Sequence, residues 1–462
     1  MDTAPTPAST PGQPRRCLSV ASAVGIVVGI VIGAGIFELP SLVAGVVGST
    51  TALMSVWVAG GVISLIGALC YAELASTYPD AGGDYFYVTR AYGPETGFLF
   101  AWARMTVIQT GSIAFLAFLI GDYASAAVNL GAYSTPIYAA LVVVLLTALN
   151  VAGVKLGSGA QLVATLAVVL GLLMVVFAGF TATAPPPTPV APGPRLIGLA
   201  MVFVLLTYGG WNEAAYLSAE VRSRRGIVWA LLIGIAIITI VYLLVNASML
   251  HALGLTGMSS SKAVATEVMR MRFGDGGAKL VSLFVVLAAL TTANGTIITG
   301  ARSNYALGRD FPLLAPLGRW RERGSTPTTA LMVQGVIALC LVIFGSLSRN
   351  GLKSMIDYIT PVFWLFFLLT GISLFVLRSR DRGVERPFKV PLYPLTPLLF
   401  CGVCAYMLWS SLNYAGWYSW VGLAVLIAGV PLLIAARPRA TMNDRRRGFA
   451  VETEPPVVQQ QT

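Results

Sequence analysis

Apolar residues in this chain come in long runs, with the polar residues gathered between them. The runs are about 20 residues long, enough to cross a bilayer as helices, and they lack the period-two alternation of barrel strands. Twelve spans are predicted, at 20–48, 51–77, 95–124, 134–151, 158–180, 196–220, 227–250, 277–305, 328–347, 353–377, 394–413 and 417–436. An even number returns the C-terminus to the side of the N-terminus. Two runs are interrupted. The stretch Val24 to Pro40 (VGIVVGIVIGAGIFELP) carries Gly25, Gly29, Gly33 and Gly35, followed by Glu38 and Pro40, while Leu205 to Glu213 (LLTYGGWNE) has Gly209 and Gly210 side by side. Glycine and proline make one uninterrupted helix a poor solution at these places. A helix that breaks inside a membrane frees backbone N–H and C=O groups, which are tolerated where they line a cavity or hold something.

The breaks fall in spans 1 and 6, five spans apart. That spacing predicts two repeats, approximately 20–180 and 196–377, with two additional helices over 394–436. An odd number of spans per repeat forces inverted topology, and interrupted spans at matching positions mark a midplane binding site. Helix N-termini offer donors and a positive dipole end for a carboxylate, and C-termini offer carbonyls for an ammonium. Together the two breaks can hold both ends of an α-amino acid without any charged side chain. Close helix packing is the alternative use of such glycines.

With 56% hydrophobic and 11% charged residues, the chain falls far from a soluble domain, where charged residues make up about a quarter. The expected fold class is an all-α polytopic membrane protein. Residues 1–17 and 437–462 form cytoplasmic tails, and 18–436 the transmembrane domain. Most of the 30 basic residues fall in the segments that are inside when the N-terminus is inside, which orients both termini to the cytoplasm. The same scattering over short loops removes the case for nucleic acid that a net charge of +11 raises. The five cysteines lack metal-ligand spacing and read as small buried hydrophobes. His251 is the only histidine, so neither a nucleophile–histidine pair nor a multi-histidine metal site is expected, and no cofactor is called for. The loop Tyr78 to Pro94 is rich in aromatics and reads as an amphipathic segment at the cytoplasmic interface, as inner gate or anchor. Residues 182–194 read as an extended connector, and 257–274 as a short helix over the extracellular mouth.

The segments VGIVIGAGIFELP, AELASTYPDAGGDYFYVTRAYGP, TYGGWNEAAYLSAEVR, TANGTIITGARSNYALGRD, TPTTALMVQGVIAL and ERPFKVPLYPLTPLLF resemble the amino acid–polyamine–organocation superfamily, closest to its L-type amino acid transporter-like branch. The similarity runs over about residues 18–436. It implies a five-plus-five inverted repeat, alternating access and an amino acid held by unwound helices 1 and 6. Carried over by position, Ile32, Gly33, Ala34, Gly35 and Ile36 resemble the segment that receives the substrate carboxylate and part of its amine, with Phe37 beside it. Thr207, Tyr208 and Gly209 resemble the unwound sixth-helix segment facing the amine. Leu206 stands near the outer-gate position, and Asn212 matches the asparagine of GGWN. Val168 falls where many members place a lysine, so lysine-based coupling does not transfer. Thr291 and Thr292 mark a candidate cation-site remnant, with ordinary helix-packing hydroxyls as the alternative.

Glu38 and Glu213 each follow a break, and both are expected on the extracellular side of the site. A carboxylate there would recognise an amine or carry a proton, with a wet vestibule or pairing across the bundle as the alternative. Arg104, inside the third span, is expected to pair with Glu73 or Glu220, and Asp122 and Asp357 to touch solvent at outer helix ends. The expected function is secondary transport of amino acids across the plasma membrane, as in a bacterial inner membrane, with neutral substrates moved by exchange or proton-linked uptake. Cationic amino acids or polyamines are the alternative substrates. A non-transporting sensor or scaffold is the alternative class. The partners implied are the amino acid, the bilayer and a coupling proton, with no obligatory protein partner.

Overall fold

The structure, a computed structural model, describes residues 18–436 apart from 81, 154–157, 184–195, 219–220, 262, 321–325, 349 and 415. Among the described residues it is helical, with no strand beyond an isolated bridge between Leu18 and Val221. The first span is two helices, α1 (Val20–Val31) and α2 (Gly35–Val47), bent by 50° at the glycine-rich break. The second span is α3 (Thr50–Thr77), whose first turn is capped by Ser49, its side chain accepting from the Ala52 N–H at 3.1 Å. A short α4 (Gly83–Tyr92) leads into α5 (Pro94–Ala103), a π-helical turn over Arg104–Ile108, and α6 (Gln109–Ala127), which together form the third span. Then come α7 (Ser134–Val151), α8 (Ser158–Thr181) and α9 (Ile197–Tyr208), the last followed by a 3₁₀ segment over Trp211–Leu217. The rest is α10 (Arg224–Ser260), α11 (Val264–Asp310), α12 (Thr328–Ser346), α13 (Gly351–Arg380), α14 (Leu395–Tyr414), α15 (Tyr418–Ile427) and α16 (Gly429–Ala435).

Among the described residues, nine helical tracts have the length and hydropathy of a membrane span, and the bent α1–α2 pair makes a tenth. The α8 helix and the α9–3₁₀ pair occupy the expected fifth and sixth spans. The outward faces are apolar. Leu141, Val144, Leu145, Val336 and Ile343 are exposed, which suits a lipid-facing surface. Of the cysteines, Cys70 and Cys404 are buried as expected, whereas Cys401 is half-buried and Cys340 faces outward; Cys17 lies outside the described residues.

Spans 1 and 6 are tied to each other at both ends. The Leu196 N–H donates to the Val46 carbonyl at 3.0 Å, and the Arg222 N–H to the Leu18 carbonyl at 3.1 Å. The two broken spans therefore run antiparallel, and each break faces the other. The expected single helix at 257–274 is instead two short helices. Gly254 (φ 65°) and Gly274 (φ 63°) turn the backbone through the left-handed region, so 255–260 and 264–273 fold back separately.

The aromatic loop forms α4, and its side chains tie it to its neighbours. Tyr85 donates to Asp310 at 3.0 Å, Tyr92 to the Leu369 carbonyl at 2.7 Å and Tyr78 to Asp381 at 3.0 Å. Both tails, most of the connector at 182–194, Lys155 and Glu220 lie outside the described residues.

Candidate substrate site

A cavity of about 340 Å³ lies between the two breaks. On the first span, the α-helical pattern ends at Val31. The Ile32 backbone (φ −73°, ψ 83°) leaves the helix, and the Gly33 N–H turns back to the Val31 carbonyl at 2.8 Å. Helix α2 starts at Gly35 with no side-chain cap, so its first N–H groups point into the break. On the sixth span, α9 stops at Tyr208. Gly210 adopts φ 104° and restarts the chain as a 3₁₀ turn. A Cβ on Gly210 would meet the Ile30 side chain at 3.2 Å and its carbonyl oxygen at 3.4 Å, so this residue combines left-handed backbone with close approach to α1. Alanine at 210 is expected to cost about 1–2 kcal/mol from backbone strain and to lower the thermal unfolding midpoint. An unchanged midpoint would count against this local account.

One hydroxyl spans both breaks. Tyr242 Oη, on α10, lies 2.9 Å from the Val31 carbonyl and 3.1 Å from the Thr207 carbonyl, sharing a single donor between carbonyls in the last turns of two helices. The Tyr242 ring packs edge-on against Trp57 and Tyr208.

The cavity walls are of two kinds. Phe100, Phe363, Phe366 and Phe367 supply an aromatic side, while Asp84, Arg104, Gln109, Asn212 and Glu213 line the end nearest α4. The π turn that begins at Arg104, closed by the Gln109 N–H on the Arg104 carbonyl, adds a residue to the turn and re-aims this side chain. Such turns recur at functional sites. Arg104 Nη2 donates to both Glu213 carboxylate oxygens at 3.0 Å, and Nη1 to the Tyr216 hydroxyl at 2.9 Å. The Gln109 amide, oriented by this network with its oxygen toward the guanidinium, accepts from Nη2 at 2.7 Å.

Asp84, on α4 outside the spanning segments, accepts from Asn212 Nδ2 at 3.3 Å. Burial pushes its carboxyl up to about 7. The Glu213 charge adds to that shift. Tyr71, Arg104 and Asn212 work against it. Because the folded state then binds this proton more tightly than the unfolded chain, stability falls as pH rises from the ordinary carboxylate range toward 7. The thermal midpoint is therefore expected to drop between pH 5 and 8, and Asp84→Asn to flatten that drop. A wild-type-like slope in Asp84→Asn would refute the assignment.

A profile of the amino acid permease family matches residues 18–431. The chain is a member of that family. It is 32% identical over 394 residues to the human b(0,+)-type amino acid transporter 1, covering 82% of this chain and 79% of that protein. It is 29% identical over 440 residues to the mouse large neutral amino acids transporter small subunit 2, covering 90% and 80%. Membership makes the chain a transporter of amino acids and not an enzyme.

Of the residues singled out in this permease, Ile32, Gly33, Ala34, Gly35, Leu206, Thr207, Gly209, Asn212, Glu213, Thr291 and Thr292 line the cavity. Ile36, Phe37 and Tyr208 are buried in the core away from it. Helix α2 resumes at Gly35 and turns Ile36 and Phe37 into packing, while Tyr208 donates to the Trp57 carbonyl at 3.1 Å. The Thr291 hydroxyl turns back on its own helix, to the Leu287 and Ala288 carbonyls. Val168 is buried at the cavity wall.

Three expectations need correction. Glu38 and Glu213 do not share a side. Glu38 lies against Tyr123 and Asp122, near the end of α6, whereas Glu213 pairs with Arg104, 18 residues earlier in the same span. At 1.5 Å per residue that separation is about 27 Å. The sixth span runs opposite to the first, so residues after its break lie toward α4. Arg104 pairs with Glu213 and not Glu73, which is 1% exposed and held by Arg378 and Arg386. Asp357 is buried, accepting from the Gly416 N–H at 3.2 Å, whereas Asp122 is exposed.

Proposed function

We propose that this permease carries neutral amino acids across the plasma membrane by alternating access, through exchange or proton-linked uptake. The observation that carries the reading is the pair of opposed helix ends at one cavity, with the cavity's guanidinium already engaged by Glu213. The N–H groups of Ala34 and Gly35, at the N-terminus of α2, receive the substrate carboxylate. Carbonyls at Ile32, Thr207 and Gly209 receive its ammonium. Leu206 and the phenylalanine wall take an apolar side chain, and Asn212 holds the inner half of the sixth span. A neutral side chain leaves no new charge to compensate in this cavity.

The accompanying architecture is twelve spans in a five-plus-five inverted repeat with two additional helices, both termini cytoplasmic, in a membrane of the bacterial inner type. Glu38, on the outer side with one buried oxygen lacking a partner among the described residues, is the group through which a proton link would run. The mouse relative's name makes that protein a small subunit. For this chain the proposed path lies within one polypeptide, and flux by the chain alone tests that.

The experiment is uptake of a labelled amino acid panel into proteoliposomes containing this chain only, varying internal amino acid, sodium and proton gradient separately. Leucine-type substrates are expected to give saturable flux, stimulated by internal amino acid for exchange or by an inward proton gradient for proton linkage. Flux of lysine or polyamines without leucine would replace the neutral reading with a cationic one. Binding without turnover would make the protein a sensor.

A further inference from the structure

We propose that the Arg104–Glu213 pair is the charge filter of the cavity, the element that sets which side-chain charge this permease accepts. The inference rests on the transport reading above and names the residues that decide specificity within it.

The pair is placed for that role. Arg104 is only 6% exposed at its side chain, whereas Glu213 is 26% exposed, and both line the cavity. Glu213 stands three residues past Gly210 in a 3₁₀ segment. At about 2 Å rise per residue it lies roughly 6 Å from the break, which is about the reach of an extended amino acid side chain. The substrate's main-chain clamp and the charged pair are thus separated by one side-chain length. The π turn in the third span is what brings a guanidinium to this depth, and Gln109 and Tyr216 hold it in place.

Paired, the two charges cancel, and an incoming lysine or glutamate side chain meets a partner already taken. Unpaired, either residue becomes an attractor for the opposite sign and a barrier to its own. Discrimination built from such opposed terms is a difference of affinities that one substitution can tip. Burial raises the nearby Asp84 carboxyl to about 7, and Glu213 and Arg104 both act on it, so the assays are run at pH 6 and repeated in the Asp84→Asn background to isolate the pair.

The test measures competition by lysine, leucine and glutamate against labelled leucine uptake in proteoliposomes at pH 6. In wild type, leucine is expected to compete best. Glu213→Gln should move the lysine-to-glutamate preference toward glutamate by about tenfold, and Arg104→Gln toward lysine by a similar factor, the size expected when a charge in the site loses its partner. The double substitution should return the ratio to that of wild type. Gln109→Glu keeps an acceptor on the guanidinium while adding a second carboxylate, so it tests the idea without removing either partner. It too should favour lysine. Folding is checked by thermal unfolding of each purified variant. If Gln109→Glu is folded and its lysine-to-glutamate ratio is that of wild type, the filter is refuted. Equal loss of all three substrates in the single variants, with the ratio unmoved, refutes it as well and leaves the pair a helix tie. Failure of the transport reading is a different result, namely no amino acid flux in wild type.

Discussion

Tyr242→Phe is expected to weaken substrate affinity by about tenfold or more while leaving the protein folded. The ring stays, and with it the edge-on packing against Trp57 and Tyr208. Only the hydroxyl goes, and that hydroxyl is the shared donor to the carbonyls of Val31 and Thr207. The Val31 carbonyl keeps the Gly33 N–H, but leaving the buried Thr207 carbonyl without its donor costs about 1–3 kcal/mol, and each 1.4 kcal/mol is a factor of about ten in an equilibrium. Without the brace the two helix ends are free to separate, so the cost falls on the geometry that holds an ammonium. Tyr208→Phe is the control. Its hydroxyl serves the Trp57 carbonyl in the same aromatic cluster but touches neither break. Affinity of both variants for a transported amino acid, measured by binding to purified protein, decides the matter. Equal affinities would show that the hydroxyl over the breaks has no special part.

The breaks themselves are legible in the chain because glycine pairs in apolar spans conflict locally with a helix, and that conflict is visible in a one-dimensional string. The partners of the breaks are not. Tyr242 reads as one more aromatic in an apolar span, and its role depends on a contact 211 residues away with Val31. Arg104 stands out as a charge within a span, yet its partner lies 109 residues on, and nothing local chooses between Glu73, Glu213 and Glu220. The sidedness of Glu213 is lost for a simpler reason. "After the break" means one side of the site in the first span and the opposite side in the sixth, because the two spans run antiparallel. Asp84 sits in a loop motif that reads as interfacial, and only the packing of α4 beneath the cavity turns that residue inward. Phe37 neighbours a legible break, and adjacency alone assigns it to the pocket, whereas the helical phase restarted at Gly35 sends it into the core.

The largest stability loss is expected from Glu73→Gln. Glu73 is 1% exposed and sits among the Arg378 and Arg386 guanidinium groups and the Val390 N–H, which it accepts at 2.6 Å. The carboxylate thus fastens the C-terminal end of α13 and the loop after it to α3. An amide of the same shape removes the charge and leaves two guanidinium groups facing a neutral partner. Breaking a buried pair from one side costs about 3–5 kcal/mol, mostly from the charge left behind. The Arg270–Asp275 pair provides the contrast, with side chains 58% and 83% exposed, where solvent screening leaves about 0–1 kcal/mol. Thermal unfolding in nanodiscs should therefore fall by several degrees for Glu73→Gln, taking about 2–4 °C per kcal/mol as an upper guide for a chain this long, and stay at the wild-type value for Asp275→Asn. Helix α13 also carries Phe363, Phe366 and Phe367 to the cavity wall, so loosening its end should raise the KM for every substrate alike, without the change of charge preference expected at Arg104 and Glu213. A Glu73→Gln midpoint no lower than that of Asp275→Asn would mean that the fastening does not hold α13, and that the cavity's aromatic wall is positioned by the packing of its own rings.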